Sequence, residues 1–141
     1  MKPEASDILN ISAEQLMTGT LPHLSASYLQ GTTAIHALLL RFAALEYERG
    51  AEIRVAENAD IRAAFAELGH LVRDAALKAK LGAAPADRSL AISTLDETNA
   101  DLRRLLIALH VHLEEIGAHD GEKRIWRLLK TMAERRVVSL F

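Results

Sequence analysis

The chain has 141 residues, half of them hydrophobic and 26% charged, with a formal net charge of −2 and no cysteine. That length and apolar content suit a folded chain with a real core. The missing cysteines exclude disulfide scaffolds, thiol catalysis, iron–sulfur clusters and Cys-ligated zinc. The near-neutral charge gives no electrostatic case for nucleic acid or an anionic membrane.

The first dozen residues lack the apolar run of a secretory signal. The most apolar stretch, AIHALLLRFAAL, is interrupted by Arg41 and too short to span a bilayer. A cytoplasmic protein with neither a membrane nor a nucleic-acid partner is expected. Sustained alternation of polar and apolar residues is absent, so the pattern predicts an all-α chain.

In chain order, Ser12 with Gln15 three residues on has capping-box spacing and predicts a short helix over Ala13–Thr18. The GTLPHLS turn follows. A long helix then runs from about Ala26 toward Glu57, with Gly50 as a weak point. Asn58 suits a C-terminal cap and Asp60 the next N-cap. A second long helix covers Ile61–Leu81 and stops at Gly82. After the GAAPADRS loop, Asp87 or Ser89 opens a third helix reaching Ile116, with Gly117 as its cap. Asp120 opens a last helix to about Val138. Four substantial helices on short loops predict an antiparallel four-helix bundle over 25–141, with an arm and extra short helix at 1–24, all within one domain.

Residues spaced roughly 100° apart name the core. The second long helix presents Ile61, Ala64, Phe65, Leu68, Val72, Ala75 and Ala79. The third presents Leu95, Leu102, Leu106, Leu109, Leu113 and Ile116, and the last Ile125, Trp126, Leu129, Met132 and Ala133. Asn99 falls within about 40° of Leu95. It is therefore expected to be a buried polar residue, bonded to a neighbouring helix or lining a ligand cavity.

Chemistry-bearing patterns are sparse. One Glu-x-x-His occurs, Glu67 and His70, whereas a carboxylate-bridged di-iron bundle needs two. His112 and Glu115 share a flank, and His119 joins them if the helix continues. These donors suit a divalent transition metal, but Gly117 is placed to end the helix before His119. His110 and Glu114 have ordinary surface-pair spacing. Lys123, Arg124, Arg127, Lys130 and Arg135 form a basic row on the last helix, interrupted by Glu134, and a solvated face is expected there. No Gly-rich phosphate loop, nucleophile elbow or HExxH motif is present, so neither catalysis nor a resident cofactor is expected.

The first long helix carries two apolar stripes. Ile35, Leu38, Phe42 and Leu45 follow heptad spacing on one side; Leu29, His36, Leu40, Ala43 and Tyr47 follow it on the other. A helix apolar nearly all round must be covered nearly all round. The first stripe is expected to face the bundle. The second is expected to form the interface of a homodimer, unless the N-terminal arm folds over it. The functional expectation is thus a helical protein acting through protein–protein contact or self-association, with small-ligand or metal binding as the alternative.

Overall fold

The computed structural model describes residues 3–137. It is all-helical, with no strand among the described residues. The α-helices are α1 (Ala5–Glu14), α2 (Ser27–Leu68), α3 (Ala75–Gly82), α4 (Ile92–Glu115) and α5 (His119–Arg135). They fall into two compact units, one reaching to Gly50 and one spanning Ala51–Val137. The division lies inside α2.

In the first unit, the chain enters α1 from an extended Glu4 (φ −69°, ψ 152°). Helix α1 begins at Ala5 rather than Ala13, and Ser12 sits inside it instead of capping. A wide, π-type turn over Gln15–Thr20 follows, where the Thr18 hydroxyl donates to the Glu14 carbonyl at 2.9 Å. That bond occupies a carbonyl which would otherwise accept within the helix. Pro22, in the short turn Leu21–His23, completes the reversal.

The Ser6 hydroxyl donates to the Glu48 carboxylate, and Arg41 donates to Glu14 at 3.0 Å. Numbers rise on one helix as they fall on the other, so the pair is antiparallel. Ser6 and Ala13 on α1 are buried, and so are Ala37 and Ala44 on α2. Each set is seven residues apart, a small-residue seam that lets two backbones approach closely. Ile35, Phe42 and Leu45, the stripe expected to face a bundle, are exposed instead. The covered side of this segment carries alanines.

Helix α2 runs through both expected breaks, Gly50 at the end of the first unit and Asn58 in the second. Alanine, Glu and Arg around Gly50 are strong helix formers and offset the roughly 1 kcal/mol cost of one glycine. Asn58 does not cap; its side chain is buried and bonded elsewhere. The expected 61–81 helix is two helices. Helix α2 stops at Leu68, Gly69–Leu71 makes a tight turn, and the Asp74 carboxylate accepts from the Leu77 amide at 2.8 Å to start α3. The break turns Ala75 and Ala79 out to solvent.

Helix α4 ends as expected at Gly117, whose φ of +66° is the left-handed value glycine adopts without cost. Ala118 donates to Leu113 and Gly117 to Glu114, the paired bonds of a Schellman motif. Asp120 lies in the first turn of α5, and no side chain caps that helix.

The core joins Ile61, Phe65, Leu68, Leu102, Leu106, Leu109, Leu113, Ile125, Leu128 and Met132 among others. The buried stripe of α5 includes Leu128 and leaves Trp126 and Ala133 exposed. Gly121 sits in that stripe because a Cβ there would meet Leu113 at 3.1 Å. This correction shifts the buried side of α5 from the one its tryptophan suggested.

Candidate functional site

The most distinctive surface lies in the first unit. From Gln15 to Leu40 the sequence contains no Asp, Glu, Lys or Arg, although a quarter of the chain is charged. Tyr28 (79% exposed), Ile35 (58%), Leu39 (59%) and Phe42 (46%) project from α2 opposite Ala37 and Ala44. Leu45 widens this exposed face on one flank. On the other flank stand Leu29, His36, Ala43 and Tyr47, all exposed, with Leu40 half-buried beside them. At 100° per residue the exposed apolar positions, from Leu45 round to Tyr47, occupy about 200° of the helix circumference, with Glu46 set among them. The small-residue seam takes the rest. The uncharged run was legible in the sequence and is the signal that marks this segment.

The second unit holds a polar cluster that sequence reasoning met only through Asn99. Glu57 and Asn58 on α2 have no exposed surface, and Asn99 on α4 is buried too. The Asn99 amide donates to the Asn58 side-chain oxygen at 2.8 Å, and Asn58 donates to Asp87 at 2.7 Å. Arg62 donates to Asp87 at 2.7 Å and to the Pro85 carbonyl at 3.0 Å, fixing the loop after α3. Arg103 donates to the Asn99 oxygen at 2.8 Å and reaches Glu57 at 3.4 Å. Arg136, just past α5, donates twice to the Glu57 carboxylate, at 2.6 and 2.8 Å.

Burial pushes the Glu57 carboxyl up. The hydrogen bonds and charges of Arg136, with those of Arg103, outweigh it and hold the carboxyl below its usual range. Burial likewise raises Asp87, and Arg62 with Asn58 brings it below the usual value. The cluster ties α2, α4, the 83–91 loop and the end of α5 into one register. Glu57 presents no surface to a substrate, so this is a fastening rather than a reaction centre.

The three candidate metal donors are not brought together. His112 Nε2 accepts from the Arg73 backbone amide at 3.0 Å, which uses its lone pair. Glu115 is exposed on α4. His119, beyond the Gly117 cap, stands on α5 with Nδ1 3.2 Å from Glu122. Among the described residues no group of three or more His, Asp or Glu side chains is placed to hold a metal ion.

The basic row on α5 is largely paired. Arg124 bonds Glu67 at 2.7 Å, Arg135 bonds Asp60 at 2.8 Å, and Lys130 and Lys123 face Glu134 and Asp120. His70 and Glu67, the one Glu-x-x-His, are both exposed. His110 lies edge-on to Trp126 at 5.6 Å. Its Nε2 is buried without a hydrogen bond, the Glu114 carboxylate standing off at 3.5 Å.

Comparison with protein-family models, curated proteins and solved structures finds no match. Function therefore rests on the geometry alone.

Proposed function

We propose that this chain acts through protein–protein contact and that its first partner is a second copy of itself, packed across the first part of α2. The observation that carries the reading is the exposed apolar face between Tyr28 and Tyr47, free of charged residues as far as Leu40. Monomeric proteins rarely leave contiguous apolar surface of this kind open to water. A twofold axis sets the same patch against itself, so the uncharged part of the face, up to Leu40, can meet its own copy without burying an unpaired ion.

In this dimer Leu29, His36, Leu40, Ala43 and Tyr47 of each copy form the seam. The apolar bodies of His36 and Tyr47 pack while their polar atoms reach the rim. Each copy contributes the antiparallel pair of α1 and α2, so the antiparallel four-helix bundle expected of one chain is built here by two. A cytoplasmic location, with no lipid or nucleic-acid partner, goes with this reading. No helix among the described residues is long and apolar enough to cross a membrane.

Sedimentation equilibrium at tens of micromolar tests it, with a dimer as the expected result. Leu29→Glu and Tyr47→Glu change exposed side chains that the single chain tolerates, and each converts dimer to monomer. Leu40→Glu does the same, with some loss of stability because Leu40 is half-buried. A wild-type monomer, or a dimer indifferent to all three substitutions, overturns the proposal.

A further inference from the structure

Resting on the self-association proposed above, we infer that His36 makes it pH-dependent: the two copies stay paired near neutral pH and separate in mild acid. The seam positions Leu29, Thr33, His36, Leu40, Ala43 and Tyr47 are spaced alternately by four and three. In an antiparallel twofold pair every contact is repeated by its own copy. The seam is symmetric about Leu38, so Leu29 faces the partner's Tyr47, Thr33 the partner's Ala43 and His36 the partner's Leu40. The two His36 side chains then stand four residues apart along the paired helices, about 6 Å. A parallel pair would set them directly opposite each other.

His36 is exposed in the single chain, and histidine is the side chain that ordinarily gains its charge between pH 8 and 5. No Asp, Glu, Lys or Arg occurs from Gln15 to Leu40. The other titratable groups of that run are Tyr28 and His23. Tyrosine ionises only near pH 10, and His23 lies in the turn ahead of α2, outside the seam. Beyond the run, Arg41, Glu46, Glu48 and Arg49 lie about 100° or more around α2 from the centre of the seam. On α1, Glu14 is taken by Arg41, and Glu4 and Asp7 stand at the end level with Glu48. His36 thus meets no carboxylate from its own helix, from α1 or from the copied face.

A proton at each imidazole therefore places two like charges on either side of the axis, among Thr33, Leu40 and Ala43, with no counter-charge. Each ring keeps a nitrogen at the rim, so the proton arrives from water, but the ring and its new charge are partly desolvated. Repulsion and desolvation both disfavour the charged form in the pair. The separated chains carry the same charge in water without that cost. A dimer thus binds fewer protons than two free chains, and acid drives it apart.

Sedimentation equilibrium of the full chain at about pH 8 and about pH 5.5, on either side of the histidine range, reads the effect. Self-association should weaken about tenfold or more between the two. His36→Gln keeps a neutral polar side chain and should dimerise alike at both. His36→Arg carries the charge permanently and should be monomeric already at the higher pH. His23→Gln should respond to pH as wild type does. Circular dichroism should show the wild-type chain folded at the lower pH. A wild-type monomer at the higher pH overturns the self-association and the pH response together. The pH response alone is overturned by a wild-type dimer equally tight in acid, by acid dissociation that persists in His36→Gln, by a His36→Arg dimer as tight as wild type, or by an unfolded chain at the lower pH.

Discussion

Arg136 closes on Glu57 with two hydrogen bonds, across 79 positions of sequence, and the carboxylate it meets has no exposed surface. One carboxylate thus receives a bidentate guanidinium, with Arg103 and Asn99 each reaching it at 3.4 Å. Charge buried this deeply is tolerable only while its partners stay in place.

Removing the guanidinium should therefore be costly. Arg136→Ala leaves Glu57 with the longer Arg103 and Asn99 contacts and should destabilise the Ala51–Val137 unit by about 3 kcal/mol. Arg136→Lys keeps the charge but loses the two-pronged geometry and should fall between that variant and wild type. Urea unfolding reads both. Adding Glu57→Gln to Arg136→Ala should recover part of the loss, since the uncompensated charge goes with it. Equal stability of Arg136→Ala and wild type would show that the pair contributes nothing.

Acid should act at the same place. Glu57 and Asp87 both titrate below their ordinary values in the folded chain. For a depressed carboxyl the stabilisation is present above the unfolded-state value and is lost as pH falls through the folded-state one. The urea midpoint should thus decline as pH drops below about 4, where unfolded carboxyls take up protons. Glu57→Gln should flatten the decline. A profile as steep in Glu57→Gln as in wild type would assign acid sensitivity elsewhere.

Gly117 supplies a local prediction. Its φ of +66° is forced by the Schellman motif that closes α4. Gly117→Ala should cost about 1–2 kcal/mol and Gly117→Asn less, because asparagine tolerates the left-handed region better. Thermal melts would order the three as glycine, asparagine, alanine.

Asp74 caps α3 through the Leu77 amide. Replacement by alanine should cost about 1 kcal/mol and raise amide exchange over Ala75–Leu81 while α4 keeps its protection. Uniform loss of protection would mean that α3 does not open independently of α4.

What the sequence disclosed depended on how local the signal was. The α4 leucines repeat on one stripe, and Gly117 sits where a cap belongs, so both were legible. Asn99 was legible as buried because it shares that stripe. Glu57 and Asn58 were not. A glutamate and an asparagine in an ENAD segment read as helix-ending polar residues, and nothing nearby announces Arg136. The break between α2 and α3 was hidden because Ala75–Gly82 continues the composition of the helix before it. On the first part of α2 both apolar stripes were visible, but neither included Ala37 or Ala44, which the structure buries. Small side chains mark close approach of two backbones as surely as large ones mark a filled core, and periodicity of bulk alone does not register them.

The distance in sequence between Glu57 and Arg136 also sets an order of events while the chain is made. Ser6 and Glu48, Glu14 and Arg41 all emerge within the first fifty residues, so the α1–α2 pair can close early, on contacts near in sequence. Glu57 must wait until nearly the whole of the second unit has followed it. During that interval it stays hydrated, and the helix around it cannot settle into the core. Under the proposed self-association, the apolar face of α2 is meanwhile open to a neighbouring nascent copy, and pairing would begin before the second half of either chain has folded.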